Sequence, residues 1–289
     1  MTFGTVAILG PGLIGGSLAL ALAERGLASR IVIYARKPDS FAAIKEKLPH
    51  AHLTTDVVEA VKDADIVVLC VPIETMKGLV EKFADHLKPD ALVTDVGSVK
   101  ESVEREIAPL LVGKALWIGS HPMAGSEKAG FSVARADLFD RATVIVAPTK
   151  QTQPEAEGRI IQFWETLGSR ILILDPGWHD VAVAQVSHIP HIVAAEIVNN
   201  VSDKSMDAAG PGLRDTTRVA SGSPDLWTEI IWANRESIRA ALVPLILELQ
   251  GIQDSLKGDD KSRLRDSLQS AHDLRAKMLE SNPLFKKHP

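Results

Sequence analysis

The stretch TVAILGPGLIGGSLALAL, residues 5–22, decides the fold. Its opening residues are apolar or β-branched on consecutive positions, the pattern of a strand buried on both faces. Gly10, Gly12 and Gly15 follow as G-x-G-x-x-G, and an Ala/Leu run with helical spacing comes next. Gly10 permits a tight turn, Gly12 lets the backbone approach a pyrophosphate, and Gly15 lets helix and strand pack closely. The first N–H groups of the helix, opened by Leu13 and Ile14, then face the negative charge. A tight structural turn that binds nothing has the same local pattern. Its place at the head of a βαβ series is what favours dinucleotide binding.

That series continues outward from the glycine turn. RIVIYA (30–35), ADIVVLCVP (64–72), ALVTDVG (91–97), LWIGSH (116–121), ATVIVAP (142–148) and SRILIL (169–174) read as further buried strands. Amphipathic stretches such as IETMKGLVEKFADHL (73–87) separate them. Strands alternating with helices imply an α/β Rossmann-type, doubly wound, mostly parallel sheet, assigned to residues 1–174. After LDPGWHD (174–180) no strand pattern remains. HDVAVAQVSHIPHIVAAEIVNNVSD (179–203) and the segments at 225–256 and 259–279 read as long helices, with Pro244 a kink or boundary. Residues 175–289 are therefore read as an all-helical substrate and dimerisation domain. Its wide apolar faces predict a homodimer.

Composition narrows the function classes. The chain has 289 residues, 45% apolar and 24% charged, a balance that excludes a disordered chain. A net charge of −5 without a long basic run gives no reason to expect nucleic acid. The single cysteine, Cys70, sits in an apolar strand pattern and reads as buried and inert. No basic leader precedes the first strand, and no apolar run reads as long enough to span a bilayer. A cytoplasmic protein without a membrane partner is expected.

The second strand ends Tyr34, Ala35, Arg36, Lys37, and Asp39 lies beyond a proline. An NAD-preferring site carries a carboxylate here for the ribose 2′-hydroxyl, whereas cations suit a 2′-phosphate. NADP is therefore favoured, with NAD possible. Solvated surface charge, or stacking of Arg36 on an adenine, are the competing readings. Val71 and Pro72, ending ADIVVLCVP, complete the cofactor set.

GSHPMAGSEKAG (119–130) supplies the chemistry. His121 follows an apolar run and precedes a proline, which puts it at a strand end, where α/β sheets gather ligands. Oxidation of a hydroxyl sends hydride to a nicotinamide and needs a base for the proton, and histidine is the commonest choice. Ser98, in DVGSVK (95–100), lies at the same edge and is placed to orient the imidazole or bind the same hydroxyl. A loop histidine capping a helix is the competing reading.

These motifs, with SHIPH (187–191) and LRDTTRVASGSPDLW (213–227) downstream, resemble the prephenate dehydrogenase family of tyrosine biosynthesis, which includes arogenate and cyclohexadienyl dehydrogenases. The resemblance runs over nearly the whole chain in order. It implies oxidative decarboxylation of prephenate to 4-hydroxyphenylpyruvate, or of arogenate to tyrosine. It implies that His121 accepts the proton of the ring hydroxyl, with Ser98 bonded to it. Arg218 then binds the ring carboxylate, and His191 contacts the substrate side chain. Glu127 gates the site, Arg214 and Asp215 line the pocket partly across the dimer, and Trp227 stands near its mouth. The missing acidic residue after the second strand departs from the family's usual pattern. No fused mutase or regulatory domain is expected.

Structural readings compete for several of these residues. Arg218 is also read as a helix-terminal ion pair, Arg214 and Asp215 as a structural pair, Glu127 as a loop cap, and Trp227 as core or interface. His188 and His191 have metal-pair spacing, but Pro190 lies between them and no third ligand is evident. No metal is expected, and His188 reads as a satisfied buried histidine. His179 and Asp180 read as a helix start without chemistry. Two other functions stay open. A hydroxyacid dehydrogenase of the wider Rossmann-plus-helical group uses a lysine on the first long helix, and here none precedes Lys204. A non-catalytic nucleotide sensor has no use for both His121 and Arg218.

Overall fold

A computed structural model describes residues 2–125 and 128–281. In chain order the elements are β1 (Thr5–Leu9), α1 (Leu13–Glu24), β2 (Arg30–Tyr34), α2 (Phe41–Lys47), β3 (His52–Thr54), α3 (Val57–Val61), β4 (Ile66–Leu69) and α4 (Ile73–Phe83). β5 (Leu92–Asp95), α5 (Glu101–Leu111), β6 (Leu116–Trp117), β7 (Gly119–Pro122), β8 (Thr143–Ala147), α6 (Pro154–Thr166) and β9 (Arg170–Ile173) follow. Helices α7 (Pro176–Val183), α8 (Ile189–Asn199), α9 (Asp203–Met206), α10 (Pro211–Thr217), α11 (Pro224–Ala233), α12 (Arg235–Lys257) and α13 (Lys261–Ser281) complete the chain.

Six parallel strands form the main sheet in the order β3-β2-β1-β4-β5-β6. The chain winds outward from β1 to β3, returns to β4, and winds the other way. The strand order therefore reverses between β1 and β4, the place where open α/β sheets bind ligands. Consecutive apolar residues bury on opposite faces. Val6 and Ile8 pack with α1 and α6 on one side, and Ala7 and Leu9 with α3, α4 and α5 on the other. This two-sided burial is why the strand stretches lack polar alternation. β3 has too few residues to give a periodic signal, and sequence reading passed over it.

The stretch LWIGSH divides. β6 belongs to the main sheet, whereas β7 turns into a second sheet ordered β7-β8-β9, antiparallel to β8. Ile118 is the joint, still donating its N–H to Val93 O at 3.2 Å. The switch carries His121 off the main sheet but leaves it beside the end of β5.

Three helix readings are corrected. The segment from 179 to 203 is interrupted by a π turn at Ala184–His188. Pro190 has no N–H for the carbonyl of Val186, and the wider turn accommodates that loss. The segment from 225 to 256 breaks at Asn234, between α11 and α12. Pro244, in contrast, lies inside α12 and ends nothing. The helical stretch Pro176–Asn199, with the π turn included, is long and apolar enough to cross a membrane by length and composition, contrary to the sequence expectation. It carries four buried ionisable groups, His179, Asp180, His188 and His191, which a lipid-facing helix does not tolerate. Length and composition alone therefore do not make it a membrane span.

Two compact units are present, Met1–Arg235 and Glu236–Pro289. Helices α7 to α11 thus fold with the sheet. In the second unit, α12 and α13 meet through a turn with Asp259 at φ +56°, and Gly251 faces the Arg263 guanidinium. Leucines 247, 249, 256, 268, 274 and 279 of this unit are exposed.

Candidate active site

The glycine turn has the shape a dinucleotide needs. Gly10 has φ +112°, and a Cβ there would stand 2.4 Å from Cys70 O, so only glycine fits between β1 and β4. A Cβ on Gly15 would fall 2.1 Å from Gly10 O, which explains the close approach of α1. Gly12 differs, because nothing lies within 4 Å of a Cβ built on it. Gly12 is also the N-cap of α1 and provides no side-chain cap. Open space over uncapped helical N–H groups fits a pyrophosphate. Leu13 and Ile14 are half-buried at the head of α1 and pack on the core. Val71 and Pro72 lead into α4, with Pro72 its N-cap. Cys70 is partly buried, and desolvation raises its thiol pKa, keeping it protonated. Arg36 and Lys37 follow β2 on the surface, and Asp39 lies in the turn Pro38–Ser40.

His121 lies on β7 with 7% of its surface exposed. Its Nδ1 stands 2.9 Å from Nε2 of His179, and His179 Nδ1 stands 2.7 Å from Oδ1 of Asp180. The same carboxylate accepts Lys100 N at 2.7 Å on Oδ1 and Glu101 N at 3.0 Å on Oδ2. These are the first amides of α5, so Asp180 caps a helix N-terminus, a position that favours an anion. Burial alone raises Asp180, and these backbone donors oppose it.

The hydrogen bonds fix the tautomers. Asp180 accepts only, so His179 carries its proton on Nδ1 and presents a lone pair at Nε2. His121 must then donate from Nδ1, which leaves Nε2 of His121 as the free lone pair. Desolvation, then the neighbouring His179 and Lys100, hold His121 well below the ordinary histidine range. Desolvation likewise depresses His179, to about 2. Both rings are neutral at pH 7, as a proton acceptor requires.

A second buried cluster fastens the strand ends. Asp95 ends β5 and pairs with Lys100, whose side chain is 1% exposed. Asp95 also accepts Gly97 N at 2.8 Å and Ser120 N at 3.3 Å. Desolvation raises Asp95, while the Lys100 ammonium and these amides lower it. Ser120 Oγ donates to Asp95 O at 2.7 Å and accepts Trp164 Nε1 at 3.1 Å. The loop carrying Ser98 and the strand carrying His121 are thus tied to one carboxylate. Ser98 itself is half-buried, and among the described residues no hydrogen bond joins it to His121. The Nδ1 face of His121 is taken by His179 of α7 instead.

His191 is buried on α8 and stacks on Trp227 of α11, with centroids 3.5 Å apart and planes 14° apart. Gly222 is required there, since a Cβ would stand 2.5 Å from Trp227 Nε1. Trp227 is therefore one wall of a histidine cluster and not a buried core residue. Arg218 begins the turn Arg218–Ser221 and is exposed. Arg214 and Asp215 pair with each other at 2.9 Å on the surface of α10. Glu127 lies outside the described residues. Among those described, no group of three or more His, Cys, Asp or Glu is placed to hold a metal ion.

Sequence reasoning took His179 and Asp180 for a helix start without chemistry and passed over Asn234, Lys100 and Asp95. The available signal was a His-Asp pair inside an otherwise apolar helix, where an unpaired charge is costly.

Comparison with known proteins identifies the family. A family model described as the nucleotide-binding domain of prephenate dehydrogenase matches residues 18–173, and one described as its dimerization domain matches 175–270. A cyclohexadienyl dehydrogenase from Zymomonas mobilis is 31% identical, the match covering 94% of this chain and 99% of that protein. A crystal structure of prephenate dehydrogenase from Aquifex aeolicus in complex with hydroxyphenyl propionate and NAD+ superposes with a TM-score of 0.88 at 28% identity, covering 96% of this chain and 98% of that one. A Synechocystis arogenate dehydrogenase gives 0.81 at 31% identity, covering 94% and 99%.

Proposed function

The chain belongs to the prephenate dehydrogenase family, and from that premise we propose that it catalyses the oxidative decarboxylation of prephenate or arogenate in tyrosine biosynthesis. The observation that carries this reading is the lone pair at His121 Nε2, presented by the His179–Asp180 chain.

His121 accepts the proton of the ring hydroxyl as hydride leaves the carbon that bears it. A dinucleotide whose pyrophosphate is held by the glycine turn would supply, through its nicotinamide, the hydride acceptor. The resulting ring ketone withdraws the electron pair of the bond to the ring carboxylate, which departs as carbon dioxide. The ring becomes aromatic, and its phenolate oxygen takes the proton back from His121. His179 stabilises the transient imidazolium by accepting from Nδ1, and the anionic Asp180 supports His179 in turn. Arg218 is assigned to the ring carboxylate, for which guanidinium offers a two-point grip. Its support is position, because the turn it opens ends at Gly222 against His191 and Trp227. His191 and Trp227 are assigned to the substrate side chain, Ser98 to the hydroxyl, and Arg214, Asp215 and Glu127 to the rim.

NADP is the preferred cofactor in this reading. Arg36 and Lys37 stand after β2 where a carboxylate would select NAD. The boundary at 174/175 separates cofactor and substrate segments. Exposed apolar residues on the helical segment, among them Trp232, Val243 and Ile246, support a homodimer. A cytoplasmic location suits such an enzyme with one cysteine. The test is steady-state reduction of NADP and NAD with prephenate and arogenate in turn. Turnover with at least one pair is expected. No turnover with any pair would overturn the reading, and turnover with NAD alone would overturn the NADP preference.

A further inference from the structure

The first turn of α4 sits where three parts of the site meet. Val71, just before it, has its Cγ1 3.0 Å from where a Cβ on Gly10 would stand, so it rests on the glycine turn. Ile73, the first residue of α4, has its Cγ1 3.5 Å from a Cβ built on Gly97, the neighbour of Ser98. This turn has no side-chain cap of its own, because Pro72 stands at the N-cap position. Its free amides are satisfied from a distant part of the chain. Glu229 Oε1 of α11, 155 residues on, accepts Glu74 N at 2.6 Å, and the carboxylate also accepts from Ile73 N. An anion at this end meets the positive pole of the helix as well.

Glu229 stands on α11 two residues after Trp227. Residues two apart point to different sides of a helix, so α11 turns Trp227 toward His191 of α8 and Glu229 toward α4. Ala233, one turn beyond Glu229 on the same side, packs against the apolar cluster that Val71, Ile73 and Met76 also join. Glu229 is half-buried. Burial raises its carboxyl, the Glu74 amide lowers it, and the exposed Glu74 carboxylate raises it again. Helix α11 is thus fastened on one side to the cofactor turn and carries a wall of the histidine cluster on the other.

We propose that Glu229 is a positioning residue for hydride transfer: by clamping α11 to the first turn of α4, it fixes the distance between the substrate ring and the nicotinamide. This rests on the function proposed above. Hydride moves between carbons held at near-contact distance, and a displacement of about 1 Å costs on the order of 100-fold in rate. The two carbons are held by different parts of the chain. The glycine turn and Val71–Pro72 are assigned to the dinucleotide, and Trp227 and His191 to the substrate. Glu229 touches neither molecule in this arrangement and acts through the helix it fastens. Reach, more than charge, is what the clamp requires. An amide oxygen at the same distance accepts the same N–H groups, whereas a carboxylate one methylene shorter falls short of them.

The test compares Glu229→Asp and Glu229→Gln with wild type, using the better of prephenate and arogenate, unlabelled and deuterated at the ring carbon that bears the hydroxyl. Glu229→Asp should lose about 10–100-fold in kcat, with the Kd of cofactor and of product, each measured alone, within about threefold of wild type. Its deuterium isotope effect on kcat should be at least as large as that of wild type, as slowed hydride transfer requires. Glu229→Gln should recover most of the loss. Hydrogen exchange should find the Glu74 amide protected in wild type and in Glu229→Gln, and open in Glu229→Asp. Four results would each overturn the proposal: an aspartate variant as active as wild type, a glutamine variant no better than the aspartate one, a loss confined to binding or to a step without an isotope effect, or an unprotected Glu74 amide in wild type. If wild type oxidises neither substrate, the proposed function fails and the positioning role with it. Turnover by a wild type whose Glu74 amide is open would instead remove the clamp and leave the function standing.

Discussion

Replacement of His179 by leucine isolates the contribution of the tautomer chain. His179 touches His121 and Asp180 but has no place against the substrate in the reaction above, so it acts by positioning. Its removal leaves Asp180 with two of its three donors, Lys100 N and Glu101 N, and the cap on α5 survives. His121 loses the acceptor for Nδ1–H in a site only 7% exposed. In the transition state that N–H belongs to a developing imidazolium, and a hydrogen bond to a charged group contributes about 1.5–3 kcal/mol. At 1.36 kcal/mol per factor of ten, kcat should fall about 10–150-fold. The neutral ring is also free to place its proton on Nε2, which removes the base outright in part of the population and pushes the loss toward the upper figure. The assay is steady-state turnover alongside cofactor binding by fluorescence titration and thermal melting. The expected result is a fall in kcat with cofactor Kd unchanged and a folded protein. His179→Gln, whose amide oxygen can accept from His121, should recover about tenfold of the loss. A His179→Leu enzyme turning over within threefold of wild type would refute the relay.

Three further outcomes follow from the same geometry. Gly12→Ala adds a methyl that meets no protein atom, so the melting temperature should stay within about 2 °C while cofactor affinity falls at least about tenfold; equal losses in both would show that Gly12 serves folding instead. Arg36→Ala should reduce kcat/KM for NADP about tenfold or more and leave NAD within threefold, as measured by initial rates; parallel losses would remove Arg36 from cofactor selection. His121, His179 and His188 all have pKa values lowered below that of the unfolded chain, so on acidification the unfolded state takes up protons that the folded state refuses. Their shared contribution is present above about pH 6.5 and is lost as pH falls, about 4 kcal/mol in total between pH 7.5 and 5.5. Urea unfolding at those two pH values measures it, and equal stabilities would contradict burial of neutral imidazoles.

The sequence alone determined what depends on local pattern. Runs of Val, Ile and Leu on consecutive positions marked the strands, and β1, β4, β5 and β8 are buried as that pattern implies, whereas β9, expected to be buried, leaves Leu172 and Ile173 exposed because it lies at the edge of the second sheet. Glycines at 10, 12 and 15 required a turn that closes tightly and leaves a cradle open. The motif around His121 and the order of motifs downstream carried the family resemblance, because residue type and spacing persist among relatives. Tertiary structure decided what depends on residues far apart in the chain. Only the packing of α7 against α5 and the second sheet brings His179 to His121, 58 residues away, and Asp180 to the start of α5, 79 and 80 residues away. No window of sequence contains such a pair, and a helical His-Asp dipeptide reads locally as a helix start. The same holds for Asn234, which reads as one polar residue in a long helix until the break at its position turns its amide toward His188. Proton placement on these rings is a property of the folded hydrogen-bond network, and it exists only once distant elements have packed.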